Sequence, residues 1–267
     1  ESPQLDAELL LAHVLEQPRS RLKSHPEDVS DDAARLRYLG LVERRANGEP
    51  LAYLVGYKGF WTLELAVTPD VLVPRPETEL IVERSLELQL PEDARVADLG
   101  TGSGAIALAI ASERPRWQVT ATDISKAALD VARGNASRLG LAGGSRPHAV
   151  ELIESDWFSA LAGRRFDLIV SNPPYIGADE PEMRSQSLRH EPGHALSPGS
   201  DALASLRLLI ESAPTHLEPG GWLLLEHGYA QGPDVARALV ARGFTHVTSR
   251  RDLAGHERMT EAHWASR

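Results

Sequence analysis

The sequence contains no cysteine, which excludes disulfides, thiolate catalysis and cysteine-based zinc sites. A chain without cysteine fits a reducing compartment, and the expected location is cytoplasmic. Basic residues are in deficit: 28 Lys and Arg face 38 Asp and Glu, a net charge of −10. Non-specific affinity for nucleic acid comes mainly from Lys and Arg, so no direct DNA partner is expected. The same deficit works against binding to anionic membranes, and no apolar run reaches transmembrane length. Internal repeats and low-complexity tracts are also missing. The opening residues Glu1-Ser2-Pro3-Gln4 carry neither a signal peptide nor an initiator Met, so the sequence is expected to start inside a longer chain.

What remains is an ordinary globular composition, 42% hydrophobic over 267 residues, with room for one large domain or a large and a small one. Leu5, Leu9, Leu10, Val14 and Leu15 recur at helical spacing, and a second helical pattern over 31–45 ends at Asn47-Gly48-Glu49-Pro50. The period then changes. Two β-rich stretches, 60–67 and 71–73, are split by the turn signal Thr68-Pro69-Asp70 and read as a hairpin. The expected organisation is a helical unit over 1–56, a linking hairpin over 57–74 and a larger domain over 75–267. In that domain a helix is expected over 77–88, and beyond it strands and helices alternate. Strands are predicted at 96–99, 118–122, 149–153, 166–171, 222–226, 245–249 and 257–262. Helices are predicted at 104–113, 125–139, 202–216 and 233–242. Such alternation predicts an α/β fold with a largely parallel sheet. The last two strands, lacking a helix between them, should pair antiparallel.

Asp98-Leu99-Gly100-Thr101-Gly102-Ser103-Gly104 lies between the first of these strands and its helix. Glycines there allow a sharp turn and a close approach of ligand to main chain. Asp123 ends the next strand, where an acid can accept hydrogen bonds from ribose hydroxyls. Together they point to an adenosine-containing ligand. Gly102-x-Gly104-x-x-Ala107 fits the loose dinucleotide pattern, so NAD competes with S-adenosylmethionine. Asp98 would repel a pyrophosphate but tolerate a sulfonium and an amino group, which favours S-adenosylmethionine. A strand-to-helix turn without ligand is the plain alternative.

The strand over 166–171 runs into Asn172-Pro173-Pro174-Tyr175. Two prolines remove backbone donors and leave carbonyl acceptors. Asn172 adds an amide oxygen and Tyr175 a flat face. Such a segment suits a planar NH2 group. Accepting both of its N–H bonds returns electron density to nitrogen and orients the lone pair for in-line methyl transfer. Asn172 could instead be a simple turn residue.

Pro74-Arg75-Pro76-Glu77-Thr78-Glu79, Asp98 to Gly104, Ser155-Asp156-Trp157-Phe158, Asn172 to Tyr175 and Leu225-Glu226-His227-Gly228 together resemble the HemK/PrmC family of release-factor glutamine methyltransferases. Asn-Pro-Pro-Tyr alone is shared with adenine-N6 methyltransferases; the combination is more specific. The resemblance implies a seven-stranded class I, Rossmann-like sheet, with the small N-terminal helical domain engaging the release factor and some of its helices missing. It implies S-adenosylmethionine as cofactor and, as substrate, the Gln of the Gly-Gly-Gln motif in class-one peptide chain release factors. Gly100, Thr101, Gly102, Ser103, Gly104 and Asp98 would then hold the cofactor, with Asp123 at its ribose and Asp156 and Trp157 near its adenine. Asn172, Pro173, Pro174 and Tyr175 would form the catalytic amide clamp, Asn172 bordering the cofactor as well. Arg75 and Glu77 would touch substrate, although both could simply cap the following helix.

His190-Glu191-Pro192-Gly193-His194 matches the H-E-x-x-H zinc pattern. The pattern works only on a helix, and Pro192 and Gly193 disfavour one, so no metal is expected. A monomer is expected. The competing functions are an adenine-N6 methyltransferase acting on a flipped base, a ribosomal-protein glutamine methyltransferase, a non-enzymatic adenosine-ligand sensor and a nicotinamide oxidoreductase.

Overall fold

The computed structural model describes residues 2–25, 27, 31–143 and 149–265. The N-terminal part is helical: α1 (Pro3–Val14), α2 (Arg19–Ser24), α3 (Asp32–Ala46) and α4 (Leu51–Val55). Ser2 and Asp31 cap α1 and α3 by accepting the backbone N–H groups of Leu5 and Ala34, the usual use of such residues at helix starts. Arg45 of α3 pairs with Asp6 of α1 at 2.8 Å. Among the described residues no helix is long and apolar enough to cross a membrane.

A two-stranded hairpin follows, β1 (Tyr57–Phe60) and β2 (Leu63–Ala66), paired antiparallel with Phe60 opposite Leu63. Its turn is Trp61-Thr62, not the predicted Thr68-Pro69-Asp70. Trp61 takes a left-handed φ of 55°, unusual for a bulky residue. Two distant acids hold it there: Glu79 accepts its backbone N–H and Glu113 its indole N–H, both at 2.8 Å. Residues 71–73 are not a strand, because the Val73 N–H donates to the Glu191 carboxylate at 3.0 Å rather than to a neighbouring strand.

The larger part holds α5 (Glu79–Glu87), β3 (Arg95–Leu99), α6 (Ala105–Glu113), β4 (Gln118–Asp123), α7 (Lys126–Arg138), β5 (Glu151–Glu154) and β6 (Phe166–Ser171). These are followed by α8 (Gly193–Leu196), α9 (Ala204–Ser212), β7 (Leu217–Glu226), α10 (Gly232–Arg242), β8 (Thr245–Arg251) and β9 (Glu257–His263). The predicted helix over 202–216 ends as a 3-10 turn, Ala213–Thr215. The strands form one seven-stranded sheet in the order β5-β4-β3-β6-β7-β9-β8. Pairs from β5 to β7 are parallel, whereas β9 pairs antiparallel with β7 and β8. The short β8–β9 link permits only an antiparallel partner.

Period-2 alternation assigns the two faces of the sheet. Val96, Leu168, Val170 and Leu224 pack with α5 and α6. Ala97, Leu99, Ile169, Leu223 and Leu225 pack with α9 and α10. Helix α6 is apolar nearly all round, with Ala105 to Ala111 buried, as befits a helix enclosed on most sides. The chain leaves β3 for β4 and β5, then returns to β6 on the other side of β3. A crevice forms outside the carboxyl ends of strands at such a reversal, and ligands of open α/β sheets bind there.

Candidate active site

A cavity of about 310 Å³ occupies this crevice. Its wall includes Gly100, Thr101, Gly102 and Ser103 from the β3–α6 loop, Asp123 from the end of β4, and Asp156 and Trp157 from beyond β5. Asn172 and Pro174 from beyond β6 and Arg75 and Thr78 from before α5 also line it, as do Ala105 and Ile106 at the start of α6 and His194 of α8.

The loop is wound by glycines. Gly100, Gly102 and Gly104 have φ of 75°, 55° and 86°, conformations that disfavour any side chain. They are not equivalent. A Cβ on Gly102 would meet nothing within 4 Å, whereas one on Gly104 would lie 2.8 Å from Leu108 Cδ1 and 3.4 Å from Ala132 Cβ. Gly104 does not line the cavity; it seats α6 against α7. Gly104→Ala is therefore expected to lower stability by about 1–3 kcal/mol through left-handed strain and overpacking. Denaturant unfolding checks this, and a wild-type midpoint in the variant would remove the packing role.

Backbone hydrogen bonds close the turn. The Thr122 carbonyl accepts the N–H groups of Gly100 at 2.9 Å and Thr101 at 2.8 Å. Asp123 accepts Gly102 N–H through Oδ2 at 2.9 Å and Ser125 N–H through Oδ1 at 2.8 Å. A carboxylate has about four acceptor sites, so Asp123 keeps capacity for ligand hydroxyls.

Asp98 is set back from the cavity wall and is fully buried. Its Oδ2 accepts the Thr101 hydroxyl at 2.6 Å and Ala107 N–H at 3.2 Å. Its Oδ1 has no partner among the described residues. Burial pushes its carboxyl up to about 7, against the pull of Thr101 and Ala107. In its ionised form this carboxylate, with one oxygen unpartnered beneath the loop, suits a cationic ligand and opposes a phosphate, and a nearby cation would in turn favour that form.

Trp157 takes a left-handed φ of 49°, a conformation that costs about 1–3 kcal/mol. Its carbonyl is held by the Ser155 hydroxyl at 2.9 Å and the Thr122 hydroxyl at 3.4 Å. The indole lies against the loop, 3.4 Å from where a Gly100 Cβ would stand. Asp156 is exposed at the rim.

The Asn-Pro-Pro-Tyr segment divides. Asn172 and Pro174 line the cavity, while Pro173 and Tyr175 do not. Asn172 donates its Nδ2 to Thr78 Oγ1 at 3.1 Å, which leaves its carbonyl oxygen without a protein partner among the described residues. The Tyr175 ring packs against the core layer of α9 and α10, and its hydroxyl donates to Glu226 Oε1 at 3.2 Å. The flat face expected of it at the substrate is therefore turned into the protein. Arg75 meets the wall but is clamped by Glu191 at 2.5 Å. Glu77 sits in the 3-10 turn Pro76–Thr78, off the cavity wall.

Thr78, Glu191 and Glu226 have roles that the sequence reading did not assign. Glu226 offered a signal: it is the acid ending an apolar strand, the same cue that singled out Asp123. Glu191 carries no such cue. Its partners, Val73 N–H and Arg75, are 118 and 116 residues away. His190 lies in a separate 3-10 turn, Leu188–His190, and α8 starts only at Gly193, so the two histidines of the H-E-x-x-H match do not share one helix. Among the described residues no group of three His, Cys, Asp or Glu is placed to hold a metal ion.

Known proteins resemble the chain over most of its length. Residues 77–229 match the methyltransferase small domain family, and residues 1–56 match the PrmC N-terminal domain. The chain is similar to a release factor glutamine methyltransferase of Pseudomonas aeruginosa, 50% identical over 99% of this chain and 94% of the relative. It is likewise similar to a release factor glutamine methyltransferase of Coxiella burnetii, 47% identical over 98% of this chain and 92% of that one. Among solved structures, a methyltransferase from Pyrococcus furiosus shares the fold, with a TM-score of 0.58 at 20% identity over 84% of this chain and 99% of the other.

Proposed function

The chain belongs to the release factor glutamine methyltransferase family, and from that membership we propose that it methylates the side-chain amide nitrogen of the Gln in the Gly-Gly-Gln motif of class-one release factors. S-adenosylmethionine supplies an electrophilic methyl group carried on a sulfonium. The loop of Gly100 to Ser103 would hold this cofactor, with Asp123 accepting from its ribose and Trp157 and Asp156 beside its adenine. The orphaned oxygen of buried Asp98 suits its positive charge.

One observation carries the reading: Asn172 spends its NH2 on Thr78. Its carbonyl oxygen is left as an acceptor on the cavity wall that also carries the glycine loop and Asp123. An amide nitrogen is a poor nucleophile because its lone pair is delocalised. Accepting its N–H bonds returns density to nitrogen and fixes the direction of attack, and orientation of this kind supplies much of a transfer rate. Pro173 and Pro174 have no N–H to compete for the same acceptors. A base need not act first, since the proton becomes acidic only once nitrogen carries the new methyl group.

The N-terminal helices, residues 1–56, are the part proposed to position the release factor; residues 75–267 carry the chemistry. Arg75 is kept as a substrate-facing group on the wall. The test is transfer of labelled methyl to an intact release factor, with mass mapping to the Gly-Gly-Gln glutamine. A short Gly-Gly-Gln peptide is expected to react poorly, because it fills the clamp without the remote contacts that position it. Efficient N6-methylation of adenine with no modified glutamine would replace this reading with a nucleic-acid one. A peptide as good as the intact factor would remove the role given to the N-terminal helices.

A further inference from the structure

Arg75 stands between two hollows. On one side it lines the cavity of the glycine loop and Asn172. On the other it borders a second cavity of about 420 Å³, whose wall is drawn from the N-terminal helices and the hairpin and includes Pro50, Val55 and Tyr57. Arginine is a long side chain with many rotamers, and holding it in one place costs entropy. A guanidinium in such a position needs a pin.

Glu191 supplies it. Its side chain is 1% exposed, and it borders the second cavity and not the first. Its Oε1 accepts Arg75 Nη2 at 2.5 Å and its Oε2 accepts the Val73 N–H at 3.0 Å. One carboxylate thus fixes both the guanidinium and the main chain that carries it. Tyr53 of α4 holds the same stretch from the N-terminal side, its hydroxyl donating to the Val71 carbonyl at 2.5 Å. The acid is itself anchored. Its N–H donates to the Leu188 carbonyl at 3.0 Å, and Arg189 Nη2 beside it donates to the Asn47 carbonyl at 2.8 Å. The pair spends one of the five N–H donors of Arg75; the others have no hydrogen-bond partner among the described residues.

A guanidinium with unspent donors on the substrate wall calls for an acceptor. The glutamine amide oxygen is a poor one, because donation to it would draw electron density away from the nitrogen that must attack. Main-chain carbonyls flanking the glutamine fit better: they are neutral acceptors, and two preceding glycines let a backbone come close. We propose that Glu191 is a positioning residue that sets the Arg75 guanidinium to bind the main chain of the Gly-Gly-Gln segment. The role rests on the glutamine substrate reading. A glutamine at 191 could still accept the Val73 N–H through its carbonyl but would turn an NH2 group toward Arg75. Residues 71–75 would then stay in place while the guanidinium went free.

The test uses the full chain, saturating S-adenosylmethionine and an intact release factor. Glu191→Gln is expected to raise KM for the release factor about tenfold with kcat within about twofold, as loss of uniform binding does. The cofactor Kd by calorimetry should not move. Arg75→Ala should raise KM by a similar factor, and the double variant should be no worse than Arg75→Ala, since the acid acts only through the guanidinium. A short Gly-Gly-Gln peptide, which lacks contacts with the N-terminal helices, should lose kcat/KM in the same ratio as the intact substrate. Arg75→Lys keeps a charge against Glu191 without the fork; its KM should rise alike, and it decides the matter if Glu191→Gln fails to fold. Wild-type KM in Arg75→Lys or in a folded Glu191→Gln, additive effects in the double variant, or a loss confined to the intact substrate would overturn the role. Weaker cofactor binding would overturn it as well, by putting the guanidinium on the carboxylate of S-adenosylmethionine. A wild-type protein that leaves the release factor unmodified would instead defeat the substrate reading.

Discussion

Asn172→Ala is expected to lose methyl transfer by about a hundredfold or more while keeping its cofactor affinity within about threefold. The fold should survive, because the side chain is only half-buried and gives up a single hydrogen bond, to Thr78. What disappears is the acceptor that orients the substrate nitrogen. A group that acts on the reacting atom lowers kcat; a group that merely binds substrate raises KM. Single-turnover rates at saturating cofactor, set beside calorimetric titration of S-adenosylmethionine, separate the two. A variant that binds cofactor poorly and transfers normally once saturated would make Asn172 part of the cofactor site and not of the clamp.

The second large effect is expected at Asp123. Asp123→Ala should weaken binding of S-adenosylmethionine and of its demethylated product by about 1–3 kcal/mol, the range for charge-assisted hydrogen bonds. Two losses combine. The carboxylate no longer meets ribose hydroxyls, and the N–H groups of Gly102 and Ser125 lose their acceptor. Asp123→Asn helps to divide them, since its single carbonyl can replace only part of this set. Calorimetry that gave unchanged affinity in Asp123→Ala, or that registered NAD in the wild-type protein, would remove the ribose assignment.

The sheet was legible because burial on both faces writes short, nearly continuous apolar runs into β3, β6 and the end of β7. The glycine loop and the Asn-Pro-Pro-Tyr segment were legible because backbone restriction shows directly in residue type. The hairpin turn was misread for a physical reason. Thr68-Pro69-Asp70 carries the local turn chemistry, with the Asp70 carboxylate accepting the Thr68 hydroxyl at 2.9 Å. The actual hairpin turn at Trp61 depends on Glu79 and Glu113, 18 and 52 residues away, and no local rule anticipates them. The site behaves alike. Tyr175 read as a substrate platform because its ring offers a flat face to a planar NH2 group. Its real neighbour, Glu226, comes from another strand. Residue type announced which groups were chemically able; only the crossing of the chain decided which way they faced.

The bonding inside the glycine loop also determines what the loop refuses. A diphosphate settles on a helix start by collecting unspent amide hydrogens. Here Gly100 and Thr101 have given theirs to one carbonyl, Gly102 to Asp123, Gly104 to the Thr101 carbonyl and Ala107 to Asp98. A dinucleotide entering this crevice would find these five amide hydrogens already committed and a buried acid, Asp98, behind the loop. The loop's own bonding thus leaves an incoming anion fewer main-chain donors than an open helix start would give.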